Sequence, residues 1–117
     1  MHEMSLIERI LSIAEESLAG RRVARVNELT VEAGLLANVV PEALSFAFEA
    51  VSGRSVCRGA KLNLIRRPAA ARCRLCREEF QSEVMPIVCP FCSGREIEIT
   101  GGTEVFLSSI DFDEEEE

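Results

Sequence analysis

Tryptophan and tyrosine are absent from this 117-residue chain, and histidine occurs once. Without those large rings the chain offers little surface on which nucleobases could stack, which argues against single-strand nucleic-acid binding. No apolar run is long enough to cross a bilayer. Glu3, Glu8, Glu15 and Glu16 interrupt the first twenty residues, so the apolar core of a secretory leader is missing. No phosphate-binding glycine loop, catalytic triad or paired-carboxylate cleft is legible, which speaks against an enzyme. Basic charge is also short: a net charge of −7 repels a phosphate backbone on average, and part of it lies in the terminal DFDEEEE.

What is present is an aliphatic chain with five cysteines. The expected compartment is the cytoplasm, where thiols stay reduced, and there cysteine clusters point to metal binding or redox chemistry before disulfides. Ser5 and Glu8 form a capping-box pattern ahead of Ile7, Ile10, Leu11, Ala14 and Leu18 at helical spacing, predicting a first helix from about Ser5 to Leu18. ARVNELTVEAG alternates as a strand, with Arg25, Asn27, Leu29, Val31 and Ala33 on its more apolar side. Pro41 opens a second helix that stripes Leu44, Ala47, Phe48 and Val51 before Gly53. KLNLIRR is a second strand ending at Arg67-Pro68; EIEIT and EVFLSSIDF are two more, expected to be joined by a tight turn at Gly101-Gly102. Between Pro68 and Gly94 the periodicity is lost, and the AAA of PAAAR reads as a linker.

That segment needs another source of stability, and it contains one. Cys73 and Cys76, then Cys89 and Cys92, are two Cys-x-x-Cys pairs about a dozen residues apart. Each pair turns two sulfurs toward one point, and two such turns complete the tetrahedron that Zn²⁺ accepts from four thiolates. With all four positions taken by protein, the ion is structural and can contribute on the order of 10–16 kcal/mol to folding. Arg72, Arg74 and Arg77 crowd the first pair, where they offset the charge of a zinc-tetrathiolate. Two other classes stay open: a zinc-ribbon nucleic-acid adaptor using these arginines with Arg66 and Arg67, and a thiol-redox switch. Cys57 lies outside both pairs and is expected to be a small, partly buried apolar residue.

The start of the chain, MHEMSL, carries a second possibility. The Met1 amine, the His2 amide and the His2 imidazole can close fused chelate rings, a planar nitrogen set suited to Cu²⁺ or Ni²⁺. Glu3 can add its backbone nitrogen or its carboxylate. The bulk of His2 is expected to keep Met1 in place.

Taken together, MHEMSL, PEALSFAFE, the RCRLC and CPFC pairs and the closing ITGGTEVFLSSID resemble the HypA/HybF family of hydrogenase nickel-incorporation accessory proteins, in order along nearly the whole chain. The resemblance implies a small metallochaperone that delivers nickel during maturation of [NiFe]-hydrogenase, in some organisms also of urease. It would work with a GTPase partner and the hydrogenase large subunit, and without nucleic acid or membrane, as a monomer or homodimer. It places transferable nickel on Met1, His2 and Glu3, and structural zinc on Cys73, Cys76, Cys89 and Cys92. Two positions depart from the family pattern: Val40 stands where some members carry an acidic nickel-site residue, and Gly34 is followed by Leu35 instead of glutamate.

The expected architecture is therefore α+β, a small sheet covered by two helices with an inserted four-cysteine zinc ribbon. The expected parts are a nickel-binding domain of residues 1–69 with 101–112, a ribbon of residues 70–100, and an acidic disordered tail of residues 113–117.

Overall fold

The computed structural model describes residues 3–116. It is a mixed α+β chain in the order α1 (Glu3–Leu18), β1 (Val23–Gly34), a 3-10 turn (Leu35–Ala37), α2 (Pro41–Ser52), β2 (Lys61–Arg67), β3 (Ala69–Cys73), β4 (Glu79–Ser82), β5 (Ile97–Gly101) and β6 (Val105–Glu114). The strands form two three-stranded sheets, ordered β2-β1-β6 and β4-β3-β5. The residues gather into two compact units, one of 3–31, 39–65 and 106–116, the other of 32–38 and 66–105.

In the first unit α1 buries Leu6, Ile7, Ile10, Leu11, Ala14 and Leu18, the stripe that its 3.6-residue period sets on one face. From α2 come Leu44, Ala47 and Phe48; Pro41 opens this helix at a position whose N–H needs no partner. Val26, Leu29 and Val31 of β1 complete this core. Each large aliphatic side chain so buried stabilises by about 1.5–3 kcal/mol. Helix α1 already includes Glu3, two residues before the capping box suggested.

The alternation of β1 differs from the sequence expectation at its start. Leu29, Val31 and Ala33 are buried as expected, but upstream it is Val26 that is buried, while Arg25 is exposed and Asn27 half-buried. The phase of the strand shifts between Val26 and Leu29. Burial decides this: hiding Arg25 would strand a guanidinium, whereas on the outer face it donates to Asn27 Oδ1 at 2.9 Å and meets Asp113 Oδ2 at 3.2 Å.

The last strand corrects two further expectations. EIEIT and EVFLSSIDF do not form a hairpin, because β5 pairs antiparallel with β3 while β6 belongs to the other sheet. Strand β6 also continues to Glu114, two residues into the stretch read as a disordered tail. Arg21 and Arg25 reach Glu114 and Asp113, and the Glu115 N–H donates to the Arg22 carbonyl, so the first acidic residues are held by backbone pairing and surface ion pairs.

In the second unit the stretch read as a linker is the central strand. Ala69–Cys73 pairs with β4 through Ala69↔Ser82 to Arg72↔Glu79, and with β5 through Ala70↔Gly101 to Cys73↔Ile97. Ala69, Ala71 and Cys73 are its buried face. Three alanines give almost no hydrophobic contrast and favour helix by propensity, which hid the strand. Glycines pack closely against this strand: a Cβ on Gly102 (φ +94°) would stand 2.7 Å from Ala69 Cα, and one on Gly101 3.2 Å from Ala70 Cβ. Residues 32–38 join this unit through Gly34 N–H to Glu104 O and Leu36 N–H to Gly102 O, both 2.8 Å.

Candidate metal centre

The four cysteines of the two pairs converge. Cys73 closes β3, and Cys76 lies in the turn that follows. Cys89 and Cys92 lie in the loop before β5. Their four sulfur atoms all sit within 4.8 Å of one another, with Cys73 Sγ to Cys92 Sγ and Cys76 Sγ to Cys89 Sγ both 3.6 Å. A tetrahedron with metal–sulfur bonds of about 2.3 Å has sulfur–sulfur edges of about 3.8 Å, whereas a disulfide is about 2.05 Å long. The spacing fits four thiolates around one tetrahedral ion, and all four cysteines are free.

The two halves are built alike. In the first, the Cys73 N–H donates to Glu78 O and the Arg77 N–H to Cys73 O; in the second, the Cys89 N–H donates to Gly94 O and the Ser93 N–H to Cys89 O, all at 2.8–3.0 Å. The residue after each second cysteine, Arg77 or Ser93, has a left-handed backbone (φ 67° and 63°), which closes the turn. In each half the apolar residue two positions after the first cysteine, Leu75 or Phe91, is left exposed. Gly94 packs closely here: a Cβ there would meet Leu75 Cδ1 at 2.5 Å and Cys92 Sγ at 3.2 Å, so the exposed Leu75 side chain would have to swing aside.

These turns aim backbone N–H groups at sulfur. Donors from Cys76 and then Leu75 hold the Cys73 thiol down to about 7, and the Phe91 N–H lies 3.4 Å from Cys89 Sγ. At Cys76 the Glu78 N–H acts the same way, but burial and the neighbouring sulfurs of Cys89, Cys73 and Cys92 outweigh it and push the thiol up to about 12. The Gly94 N–H likewise favours a Cys92 thiolate, yet the net shift is upward, with Cys73 and burial opposing it. One cluster thus contains a ready thiolate and partners that resist a second negative charge, an arrangement that a divalent cation relieves. Cys73 and Cys89 are buried and Cys76 and Cys92 exposed, so the cluster sits at the rim of its unit.

The remaining candidates fall elsewhere. Met1 and His2 lie outside the described residues. Glu3 opens α1, and its carboxylate Oε2 accepts from the Val40 N–H at 3.4 Å, immediately before α2. Position 40, which lacks an acidic side chain, is thus joined to Glu3 through its main chain. Cys57 is fully buried, its N–H donates to Ser55 Oγ at 3.0 Å, and burial pushes its thiol up. Arg72, Arg74 and Arg77 are exposed; Arg74 approaches Glu98 at 4.0 Å and Arg67 pairs with Glu32. The turn roles of Arg77 and Ser93 and the Val40 N–H were not foreseen. Ser93-Gly94 was a legible turn signal, whereas a main-chain donor leaves no trace in residue identity.

A four-cysteine cluster in a mixed α+β chain defines a small metal-binding protein, and comparison with known proteins gives the particular family. The sequence model for hydrogenase/urease nickel incorporation, metallochaperone, HypA matches residues 1–112. Hydrogenase maturation factor HypA 2 of Bradyrhizobium diazoefficiens is 40% identical over 113 residues, covering 97% of this chain and 100% of the relative. Hydrogenase maturation factor HypA of Dechloromonas aromatica is 37% identical over 113 residues, covering 97% and 100%. The solution structure of the Ni metallochaperone HypA from Helicobacter pylori matches with a TM-score of 0.72 at 25% identity, covering 98% of this chain and all of that one. The chain belongs to the HypA family of nickel metallochaperones for hydrogenase maturation.

Proposed function

We propose that this chain carries a transferable Ni²⁺ at its N-terminus, bound by the Met1 amine, the His2 amide and imidazole and Glu3, and a structural Zn²⁺ on Cys73, Cys76, Cys89 and Cys92. The observation that carries this division of labour is the closed cysteine cluster. Four sulfurs within 4.8 Å saturate one tetrahedral ion and leave no position for cargo. Among the described residues no other group of three or more histidine, cysteine or acidic side chains converges. Cargo nickel therefore belongs outside that cluster, and the planar nitrogen set of Met1 and His2 suits it.

Delivery needs release, so the proposed chemistry is ligand exchange without catalysis of a bond-breaking step. A short terminal chelate can hand its ligands over one at a time, whereas four thiolates fixed by two turns hold their ion from all sides. Glu3 can exchange its contact with the Val40 N–H for one with the ion, which would tie loading to the start of α2. The partners supported by the family resemblance are its GTPase and the hydrogenase large subunit, in the cytoplasm, with neither nucleic acid nor membrane involved. No helix among the described residues is long and apolar enough to cross a membrane.

Calorimetric nickel titration of zinc-loaded protein with a native terminus tests the assignment. His2→Ala and an N-acetylated chain are each expected to lose at least about tenfold in nickel affinity, with zinc content unchanged. Nickel binding that survives both changes overturns the terminal site.

A further inference from the structure

The second unit exposes an apolar surface that the metal centre does not use. Between the cysteine pairs, the loop after β4 presents Val84, Met85 and Ile87 at 69%, 55% and 67% exposure, with Val88 beside them. Single exposed apolar residues are ordinary, but a contiguous run on a small unit marks an interaction surface. The run lines a groove of about 260 Å³, whose other wall is Phe80, Gln81 and Ser82 of β4. That volume is below the roughly 300–1,000 Å³ of small-molecule sites and suits one or two apolar side chains.

Two further features say what would fill it. Strand β4 is an edge strand, paired only with β3 in the sheet order β4-β3-β5, so alternate residues leave N–H and C=O groups without a partner strand. An added strand is the natural ligand of such an edge. The same segment is acidic: Glu78, Glu79 and Glu83 are exposed there, and no lysine or arginine occurs from Glu78 to Gly94. A second copy would bring these glutamates against their own kind across the new pair, which is unfavourable. A peptide with basic residues alternating with apolar ones meets both demands.

We propose that the groove along β4 is a peptide-docking site for an extended segment that alternates apolar and basic residues and adds to the β4-β3-β5 sheet as a fourth strand. Its apolar side chains enter the groove between Phe80 and Ile87, its backbone pairs with β4, and its basic residues face Glu79 and Glu83.

Fluorescence anisotropy with the full chain tests this, using a labelled heptapeptide of alternating lysine and valine, its glutamate–valine counterpart, and the lysine peptide N-methylated at alternate amides. The lysine peptide is expected to bind at least about tenfold more tightly than either control. The double variant Val84→Ser with Ile87→Ser changes exposed side chains only and should weaken it about tenfold while cysteine-bound metal is retained. Glu79→Lys with Glu83→Lys should move the preference to the glutamate peptide. Equal binding of all three peptides, absence of binding, or indifference to the Ser variants overturns the proposal. So does sedimentation showing a dimer that the Ser variants dissolve, which would assign the groove to a second copy.

Discussion

The two units bury different material. The first buries Ile7, Leu29, Leu44, Val26 and Val31 completely, whereas the buried hydrophobic residues of the second are Ala33, Ala69, Ala71, Cys73 and Cys89. Large aliphatic side chains supply enough transfer free energy to hold helices on a sheet; three alanines and two sulfurs do not. The second unit is instead organised around a point, with main-chain turns converging on four sulfurs. Phe80, Ile97 and Ile99 are only half-buried, and Val84, Met85, Ile87, Leu75 and Phe91 are left outside. A unit stabilised by a metal need not commit its hydrophobic residues to a core, and those residues become available for binding.

Metal removal gives the sharpest test of this contrast. A strong chelator, or Cys73→Ser, should unfold the β4-β3-β5 sheet while the α1 and α2 amides stay protected in hydrogen exchange, since structural zinc is worth on the order of 10–16 kcal/mol in small peptides. Persistent protection of β3 and β5 after metal loss would remove the basis of the comparison. The reciprocal change is Leu29→Ala, which deletes a fully buried side chain of the first unit. It should cost about 2–5 kcal/mol in denaturant unfolding and leave metal stoichiometry untouched.

Smaller effects sharpen the boundary. Gly34→Ala would drive a Cβ into the Gly102 carbonyl oxygen, a backbone atom that cannot step aside alone. A loss of about 1–3 kcal/mol is expected, read as a lower melting temperature. A neutral result would mean that residues 32–38 are not packed against residues 102–104 in solution. Least of all, Arg25→Ala removes an exposed pair with Asp113 and should change stability by under about 1 kcal/mol, less still in high salt.

Legibility followed the strength of the local signal. Pro41 and Gly53 bracket a helix observed as Pro41–Ser52, and KLNLIRR is strand β2 residue for residue, because caps and alternation are written in neighbouring positions. The cysteine spacing announced a four-sulfur cluster for the same reason. Strand β3 was missed because alanine carries no period-two contrast. The Gly101-Gly102 hairpin was wrongly expected because adjacency in sequence says nothing about which sheet a strand enters.

By itself the sequence determined the composition of the sulfur cluster, the helices and the likeness to a nickel-delivery family, since each depends on residue types at fixed short separations. Only the tertiary structure decided the partners: that Ala69–Cys73 becomes the centre of a sheet, that β5 and β6 part company, that Glu3 meets the Val40 N–H, and that an apolar groove opens beside β4. Those outcomes depend on contacts between distant residues and on main-chain groups, which every sequence carries alike and which only the folded chain sorts into pairs.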